Sequence, residues 1–87
     1  GGLDPWPGAF TYYNRKMLKL FGCFPRDVRR RSSVPGRIKG LTDKGLDIET
    51  GKGSVIVGEI QLPGKKRMPV KEFLKGSQLG SGSILGT

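Results

Sequence analysis

Residues 46–62 read LDIETGKGSVIVGEIQL. Along Leu46–Thr50 the side chains alternate, with Leu46, Ile48 and Thr50 on one face and Asp47 and Glu49 on the other. That is the two-residue period of a half-buried strand. Gly51-Lys52-Gly53 turns the chain back. Its glycines lack the spacing of a phosphate-binding P-loop, so it reads as a hairpin turn. Ser54–Leu62 then predicts the longest strand. Val55 and Val57 share a face, and so do Ile60 and Leu62, but the two pairs are one residue out of phase. A bulge at the intervening Gly58 restores the register and bends the strand, as small barrels require.

Working outward toward the C-terminus, Pro63-Gly64 breaks the strand and presents three consecutive cations, Lys65, Lys66 and Arg67. Val70, Phe73 and Leu74 follow at i, i+3 and i+4, one face of a short helix. Glu72 in the first turn and Lys75 in the last suit the helix dipole. Gly76 stands where a left-handed cap would fall. Ser77–Thr87 is rich in glycine and serine and reads as a flexible tail, unless Leu79, Ile84 and Leu85 hold it down.

Toward the N-terminus, Thr42-Asp43-Lys44-Gly45 is a turn, and Pro35-Gly36 opens a strand over Arg37–Leu41. Pro25–Val34 reads as a loop, with Arg26, Arg29, Arg30 and Arg31 against the lone acid Asp27. Met17–Phe24 is a strand with Leu18 and Leu20 inward and Lys19 outward. Asn14-Arg15-Lys16 is a turn, and Phe10–Tyr13 is the first strand. Arg15, Lys16 and Lys19 form a basic group at this hairpin. Leu3–Phe10, with prolines flanking Trp6, reads as an extended leading segment whose tryptophan anchors it to the barrel. Five strands and one late helix make a mainly-β single domain over residues 1–87. The architecture expected is a small open β-barrel like the oligonucleotide/oligosaccharide-binding fold.

A chain of 87 residues supports a thin core. Its 15 glycines and 6 prolines favour short strands and many turns over long helices. A net charge of +9 favours an anionic partner, nucleic acid or a membrane surface. No apolar run reaches membrane-spanning length and no signal peptide is expected. The single Cys23 points to a reducing cytoplasmic setting. With no histidine, no metal-ligand cluster and no carboxylate pair, catalysis by this chain alone is not expected. The candidate RNA-binding residues are Arg26, Arg29, Arg30, Arg31, Lys65, Lys66, Arg67 and Lys16. A single-stranded nucleic-acid binder would also expose aromatics; Tyr12, Tyr13, Phe21 and Phe24 are the candidates, most of them expected in the core.

DPWPGAF, PGRI, TDKGLDIETGKGSVIVGEIQLPGKKRM and EFLKG together resemble the C-terminal domain of the methionyl-tRNA formyltransferase family. The most specific element is LPGKKRM followed by EFLKG; the Arg-rich segment lies where the family varies most. The resemblance implies an open barrel that helps hold initiator methionyl-tRNA in translation initiation, through basic residues facing the phosphate backbone. It implies a catalytic N-terminal domain in cis, which uses 10-formyltetrahydrofolate, in a monomeric enzyme; this domain itself is expected to bind no cofactor. The alternative is a structural C-terminal domain of a formyltransferase acting on a sugar nucleotide or folate, without RNA. Pro69 departs from the serine or threonine of many relatives and offers no capping oxygen at the helix start.

Overall fold

The computed structural model describes residues 8–31 and 34–87, so Trp6 and its expected anchoring lie outside the described residues. Eight strands and one helix follow in order: β1 Phe10–Tyr13, β2 Lys16–Phe21, β3 Phe24–Arg31, β4 Ile38–Thr42, β5 Gly45–Glu49, β6 Lys52–Val57, β7 Glu59–Gln61, β8 Met68–Pro69 and α1 Val70–Lys75. They form two four-stranded antiparallel sheets, ordered β1-β2-β7-β8 and β3-β6-β5-β4. The fold is mainly β, as expected, and the barrel is not closed.

The strand number exceeds five because Ser54–Leu62 splits in two, the Arg-rich stretch is itself a strand, and Met68–Pro69 pairs with β7. Ser54–Leu62 does not bulge within one sheet; it divides at Gly58 into β6 and β7, which belong to different sheets. Opposite it, β2 and β3 divide at Gly22-Cys23. The two corners face one another: the Gly58 amide donates to Phe21 O at 3.1 Å, and Gly22 takes a φ of +62° that a side chain rarely adopts. Two paired strands thus make one bent ribbon shared between the sheets.

The ribbon's concave side is the core. Leu18, Leu20 and Ile60 from the first sheet meet Ile38, Leu46, Ile48, Val55 and Val57 from the second, with Cys23 at the corner. Val70 and Phe73 of α1 close the cluster, and Tyr13 packs edge-on against Phe73 with ring centroids 5.4 Å apart. Pro69 is the residue before the helix and supplies no side-chain cap; the Val70 amide instead donates to Gly58 O at 3.0 Å. At the other end Gly76 is not left-handed. Its φ is −95°, and the helix closes through the Gly76 amide on Phe73 O and the Ser77 amide on Leu74 O, both 3.2 Å.

Two further expectations are corrected. The Arg-rich stretch is not a loop but the edge strand β3, paired to β6 from Phe24↔Ile56 to Arg31↔Lys52 with a register shift after Arg26. Proline and charge are what an edge strand tolerates and uses against unwanted pairing. The tail is held down rather than free: Ile38 N donates to Ser83 O at 2.7 Å, Leu85 N to Gly36 O at 2.8 Å, and the Leu85 side chain is buried. Ile84, in contrast, is exposed.

Candidate nucleic-acid interface

The bent ribbon carries cations at both of its ends. At the first-sheet end lie the β1–β2 turn, with Arg15 and Lys16, and the loop after β7, with Lys65 and Lys66. They come together because β2 and β7 are paired, with Lys19 opposite Gln61, and Met17, Lys19 and residues 61–64 line one shallow cleft between them. Asn14 and Arg15 both take positive φ, 49° and 64°, the tight hairpin turn that the short connection demands. The lysine loop is fixed by its own backbone: Lys65 N donates to Leu62 O at 3.1 Å, and Gln61 Nε2 donates to Lys65 O at 3.0 Å. At the second-sheet end, β3 finishes with Arg29, Arg30 and Arg31, all exposed. Lys52, opposite Arg31 in the register, joins them. Lys52 was hidden in the sequence inside a glycine turn; only the pairing of β3 with β6 brings it to the arginines.

Six of the eight candidate cations therefore fall into two end groups, while Arg67 lies beside the corner at Phe21 and Arg26 lies within β3 opposite Ser54, and the eight differ in what engages them. Arg26 Nη1 donates to Asp47 Oδ2 at 3.1 Å and Arg26 Nε lies 3.7 Å from Asp27. Arg67 donates through Nε to Glu59 Oε1 at 2.8 Å, and its guanidinium carbon stands 4.1 Å over the Phe21 ring. These two are structural cations as well as half-exposed ones. Lys16, Arg29, Arg30, Arg31, Lys65 and Lys66 make no ion pair among the described residues. A seventh arginine, Arg37, forks onto Glu49 through Nε and Nη2. That hydrogen-bonded fork lowers the Glu49 carboxyl from its ordinary value and raises Arg37. Five of the acids are thus spent on local pairs with Arg26, Arg37, Arg67 and Lys75, and none of them neutralises either basic end.

Among the described residues no group of acids, cysteine or histidine could hold a metal ion, and no helix is long and apolar enough to cross a membrane. Of the aromatic candidates, Tyr13 is claimed by Phe73 and Phe21 by Arg67, while Tyr12 and Phe24 are exposed, as is Phe10, which the sequence reading had not singled out.

Residues 1–78 match the family model described as formyl transferase, C-terminal domain. The chain belongs to this family. This formyl transferase C-terminal domain is 40% identical over 85 residues to the methionyl-tRNA formyltransferase of Syntrophus aciditrophicus, covering 98% of the chain and 27% of that protein. It is 42% identical over 89 residues to the methionyl-tRNA formyltransferase of Lachnospira eligens, covering 98% of the chain and 28% of that protein. With the Geobacter sulfurreducens methionyl-tRNA formyltransferase it shares 40% identity over 85 residues, again 98% of the chain and 26% of the relative. The domain thus spans about a quarter of the length of the curated relatives it matches.

Proposed function

We propose that this domain holds initiator methionyl-tRNA for a methionyl-tRNA formyltransferase, in the cytoplasm, at translation initiation. In this reading the N-terminal part of the same enzyme performs the formyl transfer from 10-formyltetrahydrofolate, and the domain contributes affinity and orientation. The observation that carries the proposal is the set of eight exposed cations, Arg15, Lys16, Lys65 and Lys66 at one end of the ribbon and Arg29, Arg30, Arg31 and Lys52 at the other, with no ion pair among the described residues. A spacer domain has no use for charges that repel one another and cost stability. A phosphate backbone does, because each neutralised phosphate releases condensed counterions. Relatives carrying the same domain are methionyl-tRNA formyltransferases, which makes tRNA the polyanion of choice over a sugar nucleotide.

The test is binding of initiator and elongator tRNA across a salt series. Lys65→Ala/Lys66→Ala should lower the slope of log affinity against log salt by about 1.4–1.8, at roughly 0.7–0.9 per phosphate contact. The loss should be alike on both tRNAs, since phosphates carry no sequence information. An unchanged slope in this variant and in Arg29→Ala/Arg30→Ala/Arg31→Ala would leave the cations as solvated surface and favour the structural, RNA-free role.

A further inference from the structure

The outer face of the second sheet holds a groove that neither basic end uses. Phe24 and Arg26 of β3, Ile56 of β6, and Asp43 and Lys44 of the β4–β5 turn are among the residues enclosing about 600 Å³. That lies within the range of roughly 300–1,000 Å³ found for small-ligand clefts. Ile56 is 7% exposed yet stands outside the interior apolar cluster, because successive residues of β6 face opposite ways and its neighbours Val55 and Val57 take the core side. Its burial comes from the groove's own walls, and it forms the floor. Phe24 sits directly opposite Ile56 in the register and is 57% exposed. It makes no ring pair among the described residues.

The polar groups around this apolar slot are of two kinds. Arg26 is fixed by Asp47, so its guanidinium stands ready without an ordering cost while half of the side chain stays exposed. Lys44 and Asp43 carry charges with no ion pair among the described residues. A duplex backbone could use the two cations but not the aromatic wall or the carboxylate. A flat apolar ring bearing N–H donors and an attached phosphate would use all of them.

We propose that this groove takes one unpaired nucleotide of a bound RNA. The base stacks on Phe24 above Ile56, Arg26 and Lys44 take the adjoining phosphate, and Asp43 accepts from a base or ribose donor. Phe24 and Arg29–Arg31 share strand β3, so an RNA strand whose phosphates lie along the arginine end runs toward the groove. The proposal rests on the RNA-binding role argued above and adds to it a contact that is not electrostatic.

The experiment measures binding of the chain to a single-stranded hexaribonucleotide of mixed sequence and to a fully paired RNA duplex, each over a salt series. Phe24→Ala should weaken hexamer binding by about 5- to 150-fold, the effect of removing one stacking partner, with the salt slope unchanged. Duplex binding should not change, and Phe24→Trp should keep the hexamer affinity. Tyr12→Ala, which removes one of the two exposed aromatics of β1 in the other sheet, should behave as wild type on both. Phe24 is more than half exposed, so its truncation spares the fold, and a melting curve checks this. Equal binding of hexamer by Phe24→Ala and wild type, an equal loss on duplex, or a loss caused by Tyr12→Ala would overturn the groove assignment while leaving the basic ends in place. A wild-type chain that binds neither RNA at low salt would overturn both readings.

Discussion

Arg26→Ala removes the guanidinium that donates to Asp47 Oδ2 at 3.1 Å. The Asp47 side chain is 6% exposed, and its other oxygen, Oδ1, has no hydrogen-bond partner among the described residues. This carboxylate therefore depends on one cation. Two unit charges about 4 Å apart at an effective dielectric near 20 attract by about 4 kcal/mol. Arg26 is 51% exposed, so truncation lets water reach the carboxylate and recovers part of that energy. Taking about half as lost gives a destabilisation of about 2 kcal/mol, below the roughly 3–5 kcal/mol of a fully buried pair. A domain of this size should then melt roughly 8–16 °C lower. Adding Asp47→Asn removes the orphaned charge and should return most of the loss, so the coupling appears in a double-mutant cycle followed by thermal melting. Arg26→Ala melting within error of wild type, or Asp47→Asn giving no recovery, would refute the reasoning and free Arg26 to be a plain phosphate contact. RNA affinity belongs in the double variant, where loss of a contact is not confused with loss of the fold.

Three more expectations follow from the packing. Phe73→Ala, at a side chain 7% exposed and braced by Tyr13, should cost about 3–5 kcal/mol in a urea titration; an unchanged midpoint would mean that α1 does not seal the core. Glu49 has a pKa held below its ordinary 4.5 by Arg37, so it stabilises the fold above the unfolded value, and that contribution is lost as pH falls through the lower folded value. The advantage of wild type over Glu49→Gln should accordingly be full at neutral pH and shrink in acid; a difference in melting temperature that stays constant into acid would contradict the pairing. Gly53→Ala would place a Cβ 2.2 Å from Asp27 O at a φ of +70°, so it should cost more than about 1 kcal/mol and speed amide exchange in β3 first.

Strand alternation, the helix face and the first hairpin turn were read from local pattern, whereas the left-handed cap expected at Gly76 was not found. Alternation over Leu46–Thr50 reports a strand because successive residues of an extended chain face opposite ways whatever the strand pairs with. Val70 and Phe73 announce α1 for the same kind of reason, and Asn14 marks its turn through its tolerance of positive φ. The phase slip around Gly58 gave away a bend, though not that the two halves would join different sheets. Charge composition was legible too, and with it the expectation of an anionic partner.

Tertiary structure decided what depends on a distant partner. β3 shows no alternation and contains a proline, yet it is a strand because β6 lends it hydrogen bonds across the register. The tail is rich in glycine and serine, yet backbone bonds to Gly36 and Ile38 and one buried Leu85 set it in place. Above all, the cations could not be sorted by reading along the chain. Arg26 and Arg29 look alike in sequence, but Asp47 lies 21 residues from Arg26 and meets it only through the β3-β6-β5 order of the sheet. Charge is a property of the residue, whereas whether it is already neutralised is a property of the register. For that reason the sequence could name the basic residues, and only the fold could separate those held by an acid from those with no ion pair among the described residues.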